Sequence, residues 1–191
     1  MKKQWVIALK ILLVMTILTG IIYPLLMTGI AQITFPRKAN GSLIIKDGKI
    51  IGSELIGQKF DSSKYFWPRP SAISYNPIPS GASNWGPTSD TLKKQVADRR
   101  FRFEKMNSIP EGSPVPKEML FASASGLDPH ISPGAALMQV DRIAKARNYD
   151  TSQKQQLIGL INKKSERPQY GIFGEERLNV LLINIELDQI K

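Results

Sequence analysis

The sequence contains no cysteine, a single histidine and, before Arg37, no acidic residue. Without cysteine the chain cannot form a disulfide. A metal site would have to rest mainly on carboxylates, although structural zinc sites favour cysteine and histidine. The lack of cysteine suits a domain outside the cytoplasm that avoids stray oxidation, but cysteine-free cytoplasmic domains are common too. We therefore expect no bound metal and take no localisation from cysteine alone.

Two motifs of ATP-hydrolysing proteins are also missing. A P-type ATPase phosphorylates the aspartate of Asp-Lys-Thr-Gly, and none of the eight aspartates is followed by that sequence. A P-loop needs Gly-Lys followed by Ser or Thr, whereas the only Gly-Lys pair, Gly48-Lys49, is followed by Ile50. We therefore expect that the chain by itself is not an enzyme.

Residues 11–33 contain no charged side chain. As a helix rising about 1.5 Å per residue, this stretch is about 35 Å long, which is enough to cross a bilayer. A secretory signal peptide is the alternative, because Lys2 and Lys3 precede the stretch and Gly29 and Ala31 imitate a cleavage site. The apolar region of a signal peptide, however, is normally only about 7–15 residues long. We predict a permanent transmembrane helix over residues 11–33, after a short tail of residues 1–10 and before one domain of residues 34–191.

Small, polar or helix-bending residues recur at every fourth position of this predicted helix. They are Thr16, Gly20, Pro24, Thr28 and Gln32. Small residues let another helix approach closely, and hydroxyl or amide groups can form hydrogen bonds across the contact. The pattern predicts a partner helix along this ridge. The general abundance of glycine, threonine and proline in membrane helices is an equal alternative.

The chain has 26 basic and 16 acidic residues. Basic residues flank the apolar stretch on both sides, so the positive-inside rule does not decide the orientation. The charges after the stretch are scattered, and the aromatic residues cluster among prolines, which is not the pattern of a nucleic-acid platform. The basic run over residues 93–102 is typical of a solvated helix face. We expect the lipid bilayer as a partner and no nucleic acid.

A hairpin and a long loop are predicted after the apolar stretch. Asp47 and Gly48 suit a two-residue turn between the apolar runs of residues 43–51. Residues 65–87 then combine five prolines with five aromatic residues. Prolines exclude a long helix and weaken strands, while the aromatic rings can bury much surface. We predict an ordered loop, and loops of this length are usually functional.

The first helix of the domain is predicted to begin at Ser89 or Asp90 and to run toward Met106. Apolar residues recur there at helical spacing, and Arg99 falls on the same stripe. The stripe expected to face the core consists of Leu92, Val96, Arg99, Phe103 and Met106.

Two more helices and a strand are predicted before the C-terminus. One helix begins with Ser132 as its cap and Pro133 at its first position, and ends near Asn148. The next begins at a capping box of Ser152 and Gln155. Residues 178–188 alternate between apolar and polar side chains, which indicates a half-buried strand. Strands at both ends with helices between them predict an α+β domain on a single N-terminal transmembrane helix.

One pattern approaches a catalytic motif. Residues 81–85 resemble the Gly-x-Ser-x-Gly elbow of serine hydrolases around Ser83, with His130 as the only available base. The elbow needs a small residue where Trp85 stands. The sequence around His130 is better explained by a rigid turn in which Asp128 and Ser132 bond local amides. An anchored hydrolase is therefore the disfavoured alternative.

Several strings, taken together and in order behind one N-terminal span, resemble the C subunit of the Kdp-type potassium-transporting ATPase of bacteria. They are residues 52–58 (GSELIGQ), 69–72 (RPSA), 80–87 (SGASNWGP), 122–133 (ASASGLDPHISP) and 174–180 (GEERLNV). The resemblance implies a non-catalytic subunit of an importer that moves potassium at the expense of ATP. Such a subunit is needed for assembly and activity, with a channel-like potassium-binding subunit and a P-type ATP-hydrolysing subunit as its partners.

The resemblance also implies which side the domain occupies. The tail would lie in the cytoplasm and the domain outside it, over the channel-like partner. The alternative credited to the same family is a catalytic chaperone that raises the ATP affinity of the hydrolysing subunit through a transient ternary complex with ATP. The first reading assigns this chain no cofactor of its own, and ATP would then enter only through the hydrolysing subunit.

Contact or scaffold roles are expected for the long loop of residues 65–87 and for the turn of residues 125–133. The residues of these motifs that we assign to partner contact or scaffolding are Arg69, Ser83, Asn84, Trp85, Gly86, Asp128, His130 and Ser132.

Overall fold

The computed structural model describes residues 2–190, which form two compact units that divide between Ile51 and Gly52. Its helices are α1 (Lys2–Ile17), α2 (Tyr23–Thr34), α3 (Pro36–Ala39), α4 (Asp90–Asn107), α5 (Pro133–Leu137), α6 (Val140–Arg147), α7 (Thr151–Lys164) and α8 (Val180–Leu187). Its strands are β1 (Leu43–Lys46), β2 (Lys49–Ser53), β3 (His130–Ile131) and β4 (Leu178–Asn179).

The first unit contains one long apolar helix. It runs from Lys2 to Thr34 and is long and apolar enough, by length and composition, to cross a membrane. A π-helical turn, Leu18–Ile22, joins α1 to α2, and the backbone N–H of Tyr23 bonds back to the carbonyl of Leu18. Proline has no N–H to continue the regular α-helical pattern, so the widened turn falls directly before Pro24.

Two members of the predicted ridge have their polar groups bonded within the chain. The hydroxyl of Thr28 donates to the carbonyl of Pro24 at 2.8 Å. The amides of Gln32 and Asn40 exchange two hydrogen bonds of 3.3 and 3.2 Å, which join the end of α2 to the residue after α3. A partner helix along the ridge stays a prediction.

The predicted hairpin is confirmed. Strands β1 and β2 pair with each other, and Asp47 and Gly48 between them have φ angles of 51° and 74°. These left-handed conformations are what a two-residue turn of this twist requires.

The second unit is an α+β domain, as predicted. Its core lies among α4 to α8, the loop of residues 65–87 and a small antiparallel sheet in which His130 lies opposite Asn179 and Ile131 opposite Leu178. The largest fully buried apolar side chains are Phe66, Ile131, Ile143, Leu157, Ile161, Leu178, Val180, Ile183 and Leu187.

The strand predicted over residues 178–188 is wrong beyond its first two residues. Strand β4 ends at Asn179, whose side chain accepts a hydrogen bond from the N–H of Leu182 at 3.1 Å and so caps α8. Helix α8 is apolar on most of its surface, and its polar Asn184 is buried rather than solvent-facing. A helix buried on most sides shows no 3.6-residue pattern, so the chance alternation of its polar residues imitated a strand.

The other helix predictions are correct in position and wrong in detail. Ser132 caps a helix and Asn148 ends one, but a break at Met138 and Gln139 divides the segment into α5 and α6. The capping box consists of Asp150 and Gln153 instead of Ser152 and Gln155. Both residues of the predicted box lie two residues too late in the sequence, because Asp150 already accepts from the amide at the third helical position, Gln153.

Helix α4 begins after Ser89, which caps it as predicted, and buries Phe103. Met106, however, is exposed, and Asn107 faces the core in its place. The amide oxygen of Asn107 accepts a hydrogen bond from Arg142. This bond to a buried partner explains why Asn107, and not Met106, faces the core at the end of α4.

Candidate functional site

The start of the long loop is held by two buried amide side chains. Asn184 on α8 accepts from the N–H of Phe66 at 2.8 Å and donates to its carbonyl at 3.0 Å. Gln139, in the break between α5 and α6, accepts from the N–H of Trp67 at 2.7 Å and donates to its carbonyl at 3.3 Å. The two amides thus satisfy buried backbone groups that a neighbouring strand would otherwise satisfy.

Arg142 on α6 fixes the same segment from another side. Its guanidinium donates to the carbonyls of Ser63 and Tyr65 at 2.6 and 3.0 Å, and its Cζ atom lies 4.2 Å from the centre of the Trp67 ring. Burial lowers the pKa of Arg142 to about 10, which leaves the group cationic at neutral pH. A charge buried to this degree needs hydrogen-bond partners, and here each nitrogen of the guanidinium has one: backbone carbonyls, Asn107 or Gln139.

Arg69 and Asp128 meet across a long stretch of sequence. The guanidinium of Arg69 contacts the Asp128 carboxylate at 2.6 Å, and the other carboxylate oxygen accepts from the backbone N–H of His130 at 3.0 Å and lies 3.3 Å from its Nδ1. Burial alone would raise the pKa of Asp128, but the hydrogen bonds from His130 and the charge of Arg69 bring it below its ordinary value. The prediction that Asp128 bonds a local amide is confirmed.

Ser132 has two roles at the start of α5. Its hydroxyl accepts from the N–H of Ala135 at 3.1 Å, as predicted, and donates to the Glu118 carboxylate at 2.5 Å. The backbone N–H of Ser132 also donates to Glu118 at 3.3 Å. Glu118, which the sequence did not single out, thereby ties the turn of residues 125–133 to the short 3-10 helix Lys117–Met119.

A polar groove of about 780 Å³ brings four predicted residues together. Arg69, Asp128, His130 and Ser132 all line it. Residues of the segment 167–177 also line it. The groove carries charges of both signs, and among residues 2–190 no cluster of three or more His, Asp or Glu side chains has the arrangement of a metal site.

The remaining predicted residues lie elsewhere. Ser83, Asn84, Trp85 and Gly86 belong to the end of the long loop before α4. Trp85 is 40% exposed and, together with Phe121, borders an apolar cleft of about 330 Å³. In the described part of the chain no hydrogen bond joins Ser83 to His130, whose ring lies beside Asp128 instead.

The loop is also closed on the turn of residues 125–133. The N–H of Gly81 donates to the carbonyl of Ser125 at 3.1 Å. Gly126 has a φ of +70°, and a Cβ there would lie 2.7 Å from Ile73 and 2.9 Å from the Gly81 carbonyl. Only glycine allows this close approach, so the turn of residues 125–133 packs directly against the loop of residues 65–87.

Sequence reasoning missed the side chains that position these elements, namely Asn107, Glu118, Gln139, Arg142 and Asn184. A signal existed for some of them, because Gln139 and Arg142 are one helical turn apart and flank apolar residues that face the core. Polar residues at such positions are normally assigned to solvent, so the pattern alone favours the wrong interpretation.

Comparison with known proteins places this architecture in a family. Residues 5–189 match the family model KdpC, described as the c chain of the K⁺-transporting ATPase. A potassium-transporting ATPase KdpC subunit of Geobacter metallireducens is 48% identical over 187 residues, which cover 96% of each chain. Its counterpart in Leptospira interrogans is 46% identical over 183 residues, 95% of this chain and 92% of that one. A third, from Dechloromonas aromatica, is 46% identical over 188 residues. The resemblance seen in the sequence motifs is therefore confirmed: the chain belongs to the KdpC family, as a subunit of a potassium-transporting ATPase.

Proposed function

We propose that this chain is the non-catalytic subunit of a bacterial high-affinity, ATP-driven potassium importer, where it holds the channel-like potassium-binding subunit and the P-type ATP-hydrolysing subunit in an active assembly. Its N-terminal helix lies in the cell membrane. The tail of residues 1–10 faces the cytoplasm, and the domain that follows the helix faces outward. ATP is then bound and hydrolysed by the partner and never by this domain.

The observation that carries the proposal is the way the loop of residues 65–87 is built. Arg142, Gln139 and Asn184 fix its start from inside the core, whereas its end leaves Trp85 partly exposed beside Phe121. A segment held rigidly in one conformation loses little entropy when a partner binds it. An exposed tryptophan beside an apolar cleft is also a frequent centre of binding energy.

The net positive charge of the domain favours a structural clamp, meaning a subunit that holds the two partner subunits together, over a role in the ion pathway. Of the chain's 26 basic residues only Lys2, Lys3 and Lys10 precede the apolar stretch, so basic residues exceed acidic ones after it. A positive surface does not concentrate potassium ions, and salt screens its field beyond roughly 8 Å at physiological ionic strength.

Affinity purification of the complex in mild detergent tests the proposal. We expect two larger membrane proteins to co-purify with the wild-type chain, and Trp85→Ala to reduce the partner retained after washing by at least about tenfold. Uptake from medium with little potassium should fall in parallel.

Phe101→Ala is the matched control, because Phe101 is 65% exposed and lies outside the Trp85 cleft. It should leave both retention and uptake unchanged. Unchanged retention and uptake in Trp85→Ala would show that the loop is not the contact. Purification of the wild-type chain without any partner would overturn the proposed function itself.

A further inference from the structure

A small hairpin of residues 166–177 projects between α7 and β4. Backbone hydrogen bonds of 2.8 and 3.0 Å pair Glu166 with Arg177, and two more of the same lengths pair Gln169 with Phe173. The Glu166 carboxylate also accepts from the Arg177 guanidinium at 2.9 Å. The hairpin is thus an ordered element whose second arm continues directly into the sheet strand β4.

The tip of this hairpin is apolar and exposed. Tyr170, Ile172 and Phe173 are 92%, 78% and 67% exposed. The turn that carries them has left-handed φ angles at Tyr170 and Gly171, which point the chain back on itself. Large apolar side chains exposed to this extent do nothing for the stability of the folded domain, since burial is what makes them stabilising.

The tip is continuous with the polar groove described above. Phe173 itself lines the groove, together with Arg167, Glu175 and Glu176 of the hairpin. Arg69 and Glu118 line the same groove. An apolar centre bordered by a rim of charged groups is the usual anatomy of a protein–protein interface.

We propose that the tip, Tyr170, Ile172 and Phe173, inserts into an apolar pocket of another subunit of the ATPase, whose charged residues of both signs meet the groove beside it. This inference rests on the proposed function, because it requires that partner subunits are bound. The mixed charge of the hairpin and groove favours a protein partner over a membrane surface. A membrane surface with anionic lipids attracts basic clusters, whereas the hairpin carries three carboxylates and two guanidinium groups and so forms no basic cluster. A protein surface can pair with both signs.

Site-specific photo-crosslinking in the intact complex tests this inference. Tyr170→p-benzoylphenylalanine places the reactive ketone at the tip, and the same replacement at Phe101, which is 65% exposed, places it at another exposed aromatic position, on α4, as the control. After irradiation of native membranes, we expect a covalent adduct between this chain and one larger subunit from position 170 and none from position 101.

A second measurement does not depend on the probe. The triple variant Tyr170→Ser, Ile172→Ser, Phe173→Ser should lower partner retention after a washing step by at least about tenfold, since apolar anchors of this kind dominate interface energies. The three side chains contact little of their own domain, so the variant should keep the circular dichroism and melting temperature of the wild type.

The outcomes separate the inference from the function on which it rests. An adduct with lipid only, or no adduct together with unchanged retention of the triple variant, overturns the hairpin contact while the subunits still co-purify. Failure of the wild-type chain to co-purify with any subunit overturns the proposed function and the inference with it. A subunit adduct from position 170 together with loss of retention in the triple variant supports both.

Discussion

Arg142 connects the helical core to the start of the long loop by hydrogen bonds to three backbone carbonyls and two side-chain amides. The contacts reach residues as distant in sequence as Ser62 and Ser63, about eighty positions away. A single buried cation therefore replaces a set of backbone contacts that a regular sheet would have supplied. Removing it leaves its partners buried and unpaired, and such groups are costly.

We expect Arg142→Met to lower the free energy of unfolding by about 3 kcal/mol, because methionine fills the space but donates no hydrogen bond. Urea unfolding of the full-length chain in mild detergent, followed by tryptophan fluorescence, measures the change. Lys145→Met on the same helix is the control, since Lys145 is exposed, and it should change stability by less than about 0.5 kcal/mol. Equal effects of the two changes would contradict the role of Arg142.

Asp128 gives the domain a defined response to pH. Its pKa is lower in the folded chain than in the unfolded one, where a carboxyl group has a pKa of about 3.9. Its contribution to stability is therefore complete above the unfolded value and is lost as the pH falls through the lower folded value. The cause is the pair of contacts from His130 and Arg69.

We expect Asp128→Asn to destabilise the chain at pH 7 by about 1–2 kcal/mol, and the difference from wild type to shrink as the pH falls below about 4. Unfolding curves at several pH values measure this. Glu111→Gln removes an exposed carboxylate and is the control. Its free energy of unfolding should change with pH in the same way as that of the wild type. A difference that stays constant from pH 7 to the acid limit would show that the Asp128 charge makes no contribution.

At the scale of elements, the domain uses side-chain amides where many α+β domains use strands. Asn184 and Gln139 bond the backbone of Phe66 and Trp67 on both its donor and acceptor sides. The proline-rich loop can therefore be buried at its start without joining a sheet. This explains how residues 65–87 are ordered, as predicted, although they contain neither helix nor strand in the described chain.

The membrane-competent helix allows a direct test of the predicted ridge. Gly20 lies on the ridge and Gly29 does not, and a Cβ at either position would meet nothing closer than 4.0 Å within this chain. Leucine at either site is thus compatible with the isolated helix. If a partner helix packs on the ridge, only the change at Gly20 removes the close approach that small residues allow.

We expect Gly20→Leu to reduce co-purification of the larger subunits at least about fivefold, corresponding to roughly 1 kcal/mol. Gly29→Leu should have no effect. Western blots of the membrane fraction confirm that both variants insert to the same level. Equal retention by the two variants would favour the other interpretation, in which these residues merely reflect the composition of membrane helices.

Local patterns predicted some elements correctly and others wrongly for identifiable reasons. The turn at Asp47 and Gly48 and the cap at Ser132 depend on short-range backbone geometry, and both are confirmed. The segment of α8 was predicted as a strand, because Asn184 and Glu186 happen to alternate with apolar residues. The segment is helical because it is buried against the rest of the core, and the spacing of apolar residues within the segment does not show that burial.

At the scale of the whole molecule, one membrane-competent helix is followed by a folded domain, and the chain divides into two compact units between Ile51 and Gly52. The side of the membrane that the domain occupies decides between the clamp and the ATP-dependent chaperone. ATP is a cytoplasmic ligand, so the chaperone needs a cytoplasmic domain.

We expect an epitope tag placed after residue 191 to be digested by protease added to intact, wall-stripped cells. A tag placed before residue 2 should be protected until the cells are opened. Both tags are read by immunoblot, and a cytoplasmic marker protein confirms that the membrane stays sealed. Protection of the C-terminal tag would reverse the proposed orientation and favour the chaperone.

The sequence by itself determined the membrane-competent helix, the hairpin turn, the starts of α4 and α5 and the family, because each depends on local composition, local backbone geometry or ordered motifs. Only the tertiary structure decided which polar residues lie inside. Arg69 and Asp128 are 59 residues apart, and Phe66 and Asn184 are 118 apart, yet each pair is in hydrogen-bond contact. Such pairing follows from how the helices pack around the loop. Packing depends on contacts between residues far apart in the sequence, and a short window of neighbouring residues does not contain them.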